Sequence, residues 1–414
     1  MRIDKVGFKL FFVATPLLAL AFYALNIDVF LGYRRLNPYI FQFLAFTMSF
    51  VSYVAIYSSG KLFRTSLKYR FLKHPVVKWF YFVSLFSLFS LLFAYKDDYL
   101  SKGLLYLASS FAIILSLLIS LEYLANESYK KNSYFLLVFF AIAILSVIVD
   151  PIVDFRSVFA SNITADGDYD RTRGGGLYLQ PNTAGIGCAF LYALIVSRVS
   201  RQVALICTLF ALVAVFLTFS RSSLFVLMTL IFFAFWRGYL PRFTSYVFII
   251  GAVIFLASIS FTDVISEMFY ITEGSGYARL SNLRNYFDAL EILSDERFYV
   301  AKNAFYEFCS APVLGHGLGY SWYWADLEIG GQGSHNLFLR YMLEYGLVGI
   351  FIWPLFLLAL FQSRNRDLDK IWVFGICIAA IISAFFSHNI PEQGVILAPL
   401  MASIIFSVPN RLKK

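Results

Sequence analysis

The sequence predicts an all-α integral membrane protein of about twelve transmembrane helices, with a large helical loop on the outer side between spans nine and ten. Three observations predict it. Of 414 residues, 60% are hydrophobic and only 14% charged, with a mean hydropathy of +0.72. A soluble chain carries about 45–50% apolar and about 25% charged residues, so the bilayer is the better solvent for this one. Second, apolar runs of span length recur along the chain. Third, the basic residues gather on one side of the topology those runs define.

The runs lie at roughly 8–31, 39–58, 75–95, 103–124, 134–155, 182–200, 202–219, 221–236, 242–262, 337–361, 370–388 and 391–408. Phe8 to Asn26 reads as the first span rather than a cleavable leader, because no small-residue cleavage site follows it. With an inside start, twelve spans return both termini to the cytoplasm. Of the 34 Lys and Arg, 21 then fall inside, including Lys61 to Lys78, Arg198, Arg201, Arg237, Arg242 and Arg364 to Lys370. Arg34 and Arg35 run against the rule. Residues 1–414 form one polytopic domain, with a first outer loop at 156–181 and a second at 262–334. In the second, Leu280, Leu283, Phe287 and Leu290 recur at helical spacing, as do Phe298, Ala301, Phe305 and Phe308 after a helix start at Ser294 or Asp295.

A net charge of +9 could suit nucleic acid, but its distribution follows membrane topology instead. The partners expected are therefore a lipid bilayer and no nucleic acid. Cys188, Cys207, Cys309 and Cys377 show neither metal-ligand spacing nor a disulfide pattern. No phosphate loop, His-Glu-x-x-His pair or Gly-x-Ser-x-Gly elbow occurs, and no cofactor or metal is expected. Asp97-Asp98 reads as part of a short outer turn, and Asp150 and Asp154 flank the outer end of span five, as sugar ligands or helix-end caps.

The chemistry gathers on the outer side. Arg221, within Thr218-Phe219-Ser220-Arg221-Ser222, interrupts nearly continuous apolar sequence from Gln202 to Trp236. Arg297 opens the second amphipathic helix, and Arg171 and Arg173 precede a run of three glycines. His335-Asn336 sits at the mouth of span ten, after the glycine-rich stretch Pro312-Val313-Leu314-Gly315-His316-Gly317. Ionisable groups at a membrane edge are costly and tend to mark function. Guanidiniums stay charged and match phosphate oxygens with a planar fork, so two or three of them suit a diphosphate. A neutral His335 can accept a proton from an attacking hydroxyl. For each arginine the alternative is an interfacial snorkel, and for Arg279 and Arg284 the solvated face of a helix.

These motifs resemble the bacterial O-antigen ligase and O-antigen polymerase superfamily of polytopic membrane glycosyltransferases. The similar residues are Thr218-x-Ser220-Arg221, Arg297 followed by Pro312-x-Leu314-Gly315-x-Gly317, and His335-Asn336 followed by Gly346-x-x-Gly349. Gly176 to Asn182 is similar to the segment that precedes the middle spans in that family. The resemblance implies a multi-pass inner-membrane enzyme whose active site and large loops face the periplasm. It implies metal-independent transfer of an undecaprenyl-diphosphate-linked glycan to a glycan or lipid A-core acceptor, with no nucleotide sugar. Arg221, Arg297 and His335 would be its catalytic residues, and Arg173, Asn182, Arg279, His316 and Asn336 its substrate contacts. A chain-length regulator is a further expected partner.

Gly349 stands where the ligase branch commonly has threonine, which tilts the expectation towards a repeat-unit polymerase, with O-antigen ligase the alternative. A lipid-linked oligosaccharide flippase is the rival from another class. The absence of visible repeats and the placement of charge at the outer edge rather than the midplane stand against it.

Overall fold

The computed structural model describes residues 18–29, 37–58, 73–94, 97–124, 129–153, 174–241, 296–328, 334–364 and 369–405. Among these the regular structure is helical and no strand occurs. After a helical stretch at 18–24, the helices are α1 (Pro38–Ser58), α2 (Pro75–Ser90, extended by a 3-10 turn at Leu91–Phe93), α3 (Asp97–Leu124) and α4 (Tyr129–Val153). Then follow α5 (Pro181–Val196), α6 (Arg201–Leu217), α7 (Arg221–Trp236), α8 (Glu296–Ser310) and α9 (Tyr320–Glu328). The chain closes with α10 (Leu337–Tyr345), α11 (Gly349–Ser363), α12 (Lys370–Phe386) and α13 (Gly394–Ile405). Among the described residues, four stretches are long and apolar enough to cross a bilayer: Pro75–Phe93, Asp98–Leu121, Leu136–Val153 and Leu337–Ser363. Shorter apolar helices stand beside them. Helices satisfy their own backbone, which is why an apolar chain takes this form in lipid.

The core forms around α5. Every residue from Thr183 to Val196 is buried, as expected of a helix that is apolar on all sides. Helices α4, α6, α7 and α13 pack around it. Gly185 allows close approach to α7, since a Cβ there would fall 2.5 Å from the Ser223 Cβ. Outward-facing Phe225, Phe232, Leu85, Leu88, Phe374 and Phe385 are exposed, an apolar surface that suits contact with lipid chains.

Local signals explain the helix ends. Pro38, Pro75 and Pro181 occupy first turns, where a missing N–H costs nothing. The Ser200 hydroxyl caps α6, and the Asp369 carboxylate caps α12 while pairing with Arg237 of the turn after α7. Arg198 donates to the carbonyls of Leu194 and Ala402, tying the ends of α5 and α13. Arg198, Arg237, Asp369 and Arg364 thus mark one end of the bundle, and the polar site described below marks the other.

Several expectations change in detail. The apolar run 337–361 is not one straight helix but α10 and α11, joined by a 3-10 turn at Gly346–Val348. Gly346 has φ +64°, and a Cβ on it would overlap the Val313 carbonyl. The glycine-rich stretch after α8 packs directly onto this break. Leu347 N donates to Pro312 O and His316 N to Leu343 O, each at 2.8 Å. A Cβ on Gly315 would lie 2.5 Å from Gly346 N, and one on Gly317 2.6 Å from the Phe93 carbonyl carbon. The Gly-x-Gly motif is therefore a backbone wedge between the α10–α11 break and the end of α2. Gly349 obeys the same constraint, because its Cβ would collide with the Tyr341 carbonyl.

The Asp97-Asp98 pair begins α3 rather than forming a turn, and the last apolar helix begins at Gly394, after a 3-10 turn at Ile390–Glu392. The second loop helix appears as α8, followed by α9, which periodicity had not indicated. The expected span 242–262, the first loop helix around Leu280–Leu290 and most of the first outer loop lie outside the described residues.

Candidate functional site

Backbone strain marks one end of the bundle. Among the described residues, the non-glycine positions with left-handed backbone are Asn26 (φ 57°), Leu179 (φ 62°), Phe219 (φ 48°) and His335 (φ 51°). Each stands in a turn at the end opposite Arg198 and Arg237. Such conformations cost on the order of 1–3 kcal/mol and persist only where the surroundings over-determine them.

His335 lies between Ser334 and Asn336, at the entrance to α10. Asn336 is the N-cap: its Oδ1 accepts from Phe338 N at 2.9 Å and Leu339 N at 3.1 Å, while Ser334 Oγ donates to Asn336 O at 3.0 Å. These bonds set the peptide on either side of His335 and turn its ring towards His388, with ring centroids 5.5 Å apart at 71°. His388 belongs to the turn 387–393 between α12 and α13 and also meets the Trp322 ring at 6.1 Å. Its Nδ1 is buried with no hydrogen-bond partner among the described residues.

A buried ion cluster fixes that turn. Arg340 of α10 reaches Glu392 Oε1 at 2.5 Å, the His388 carbonyl at 3.0 Å and Glu344 at 3.9 Å. The side chains of Arg340 and Glu344 are 7% and 3% exposed, and Glu392 11%. The guanidinium also faces the rings of Trp322 (5.4 Å) and Tyr106 (5.7 Å), which stack on each other at 4.7 Å. Ser321 of α9 donates to Glu344, so the cluster joins α3, α9, α10 and the 387–393 turn.

Beside it opens a cleft of about 180 Å³, whose walls include Tyr39, Gln42, Tyr106, Gln180, Asn389 and Gln393. Gln42 is buried and fixed by a bond to Asp28 at 2.8 Å and another from Ser109. Asn26 Nδ2 donates to Tyr178 O at 3.3 Å, and Gln393 Nε2 to Thr183 Oγ1 at 3.3 Å. The last contact carries the site across to the N-terminus of α5, where Asn182 and the Arg221 turn lie. Ser223 Oγ donates to Asn182 O at 3.3 Å and to Ser220 Oγ at 2.8 Å, and half-buried Arg221 opens α7. Gly174 N donates to Leu217 O at 2.8 Å. Asp150 Oδ2 accepts from the N–H groups of Gly175 (2.6 Å) and Gly176 (2.9 Å), so this carboxylate moors the glycine run that follows Arg173.

The expected residues therefore sort as follows. His335 and Asn336 sit together at the entrance to α10, and Ser223 links the Asn182 carbonyl to Ser220, the residue before Arg221. His316 stands apart: its Nε2 lies 3.1 Å from Ser310 Oγ and 3.5 Å from Glu307, with its ring stacked on Tyr320 at 4.1 Å. Arg297 is the second residue of α8. Arg173 and Arg279, like the side chain of Arg297, lie outside the described residues. Sequence reasoning missed His388, Arg340, Glu344 and Glu392. The signal was present as Arg340 and Glu344 one turn apart in an apolar run, and as a polar stretch between the last two spans. Among the described residues no group of three or more His, Cys, Asp or Glu could hold a metal.

The fold and site define a polytopic helical membrane protein with a strained, histidine-bearing polar end. The O-antigen ligase family model matches residues 206–353, from within α6 into α11, and so spans Arg221, Arg279, Arg297, His316, His335 and Asn336. This match supports placing the chain in the superfamily of O-antigen ligases and polymerases. Comparison with curated proteins gives no match.

Proposed function

We propose that the chain is a membrane glycosyltransferase that moves an undecaprenyl-diphosphate-linked glycan to an acceptor sugar hydroxyl in O-antigen assembly, as a repeat-unit polymerase. The observation that carries this reading is His335, held in left-handed backbone between Ser334 and Asn336 with its ring against His388. In the proposed step the acceptor hydroxyl gives its proton to His335 while its oxygen bonds to the anomeric carbon. The bond from that carbon to the diphosphate breaks, and undecaprenyl diphosphate leaves. Arg221 and Arg297 balance its charge without metal, and Arg173, Asn182, Asn336, Arg279 and His316 are proposed to contact donor or acceptor.

The basic end at Arg198, Arg237 and Arg364 supports an inner-membrane orientation with His335 facing the periplasm and both termini in the cytoplasm. The acceptor partner is a glycan, and a chain-length regulator is proposed to act alongside. The description of the matched family favours a second reading, ligase, in which the acceptor is lipid A-core. Gly349 favours polymerase, although the Tyr341 carbonyl against it is reason enough for glycine there.

Deleting the gene in its host and separating the surface lipopolysaccharide on a gel decides between them. Core bearing a single repeat is the result expected of a polymerase. Bare core, with polymer accumulated on the carrier lipid, would overturn that in favour of ligase, and loss of all periplasmic lipid-linked glycan would overturn both in favour of a flippase.

A further inference from the structure

We propose that the cleft between α1, α3 and the 387–393 turn is a subsite for a neutral pyranose ring of the acceptor glycan. This rests on the transfer reading for its place in the reaction, but the binding chemistry stands on the cleft itself. Its largely apolar walls carry polar groups without presenting a charge. Glu392 is bound by Arg340 at 2.5 Å, and Arg340 in turn is 7% exposed and occupied by carboxylates, so the cleft does not present it to a diphosphate. What remains is amide and ring. Gln180, Asn389 and Gln393 each bring both a donor and an acceptor, the pairing that sugar hydroxyls require. Tyr39 and Tyr106 stand edge to face at 5.9 Å, and Tyr106 is backed by Trp322, so the cleft has an aromatic border against which the C–H groups of a pyranose can pack.

The walls are also fixed in advance. Gln42 is locked between Asp28 and Ser109, and Asn26 is held in left-handed backbone and bonded to Tyr178 O. Preorganised polar groups lower the ordering cost of binding. One wall residue, Gln393, has a buried Oε1 with no hydrogen-bond partner among the described residues. A buried acceptor of this kind calls for a donor, and the hydroxyl of a sugar in the cleft is one that Gln393 can turn to meet. The contacts from Tyr106 to Trp322, from Trp322 to His388 and from His388 to His335 connect this cleft to the residue proposed to take the acceptor proton.

The test uses the full chain in lipid nanodiscs and saturation-transfer NMR, with empty nanodiscs as control. The probes are methyl glycosides of glucose, galactose, N-acetylglucosamine and rhamnose, with undecaprenyl diphosphate bearing no sugar measured in parallel. At least one glycoside should receive saturation from the wild type. Tyr106→Ala should raise its dissociation constant about tenfold. Gln393→Ala, which removes an amide from a turn rather than a ring from a helix, should weaken it in the same direction. Undecaprenyl diphosphate should bind Tyr106→Ala as it binds the wild type. No saturation of any glycoside, or wild-type binding in both variants, overturns the subsite. Loss of undecaprenyl diphosphate in Tyr106→Ala would assign the cleft to the lipid headgroup instead and overturn it too. Glycoside binding by a wild type that ignores undecaprenyl diphosphate would support the subsite while counting against the transfer reading.

Discussion

His335→Asn lowers glycan transfer by about 10²–10⁴-fold, the usual range for loss of a general base. Asparagine is the informative replacement because it tolerates left-handed backbone, so the φ of 51° at this position need not relax. Asn336 would still cap α10 through its bonds to Phe338 N and Leu339 N, and the helix entrance should survive. Transfer from a lipid-linked donor should collapse while the thermal unfolding midpoint in detergent stays near that of the wild type. A variant retaining more than about a tenth of the wild-type rate would remove His335 from the proton-transfer role.

Arg340→Leu acts by another route and should unfold the polar end. The guanidinium is the shared partner of Glu392 and Glu344, and it also binds the His388 carbonyl. Removing one partner from a buried ion cluster costs about 3–5 kcal/mol, chiefly because the remaining charge stays buried and unpaired. The unfolding midpoint should fall clearly. Arg340→Lys should fall by less, since it keeps the charge but loses the planar fork. Adding Glu392→Gln to Arg340→Leu should recover part of the loss, because one of the stranded carboxylates is then neutral. An unchanged midpoint in Arg340→Leu would show that the cluster is not what holds the 387–393 turn.

The two variants illustrate what was legible in the sequence. His335 could be found because its signal is local: a histidine next to a capping asparagine, just before an apolar run. The helices from α1 to α7 were legible for the same reason, with α7 matching the expected run at both ends. The break between α10 and α11 was harder, because Gly346 and Gly349 sit in apolar sequence long enough to span. Only the packing of Pro312 to Gly317 against them shows why the helix turns there. Arg340 was missed because its partner Glu392 lies on the far side of α11 and α12 in the chain, where a periodic reading of either helix does not look. The cleft was out of reach for the same reason, since Tyr39, Tyr106 and Gln393 meet only in three dimensions. Asp150 lies between these cases. Its position at the end of α4 suggested a cap or a sugar ligand, and the structure shows it holding the Gly175 and Gly176 amides.

This polar end is proposed to break the bond between a glycan and its lipid diphosphate. The most direct measurement supplies purified chain in nanodiscs with undecaprenyl-diphosphate-linked repeat units in the presence of EDTA and follows free undecaprenyl diphosphate by mass spectrometry. Release of the free diphosphate in step with glycan elongation is the result expected. Donor that remains intact with wild-type chain and acceptor present would contradict that proposal.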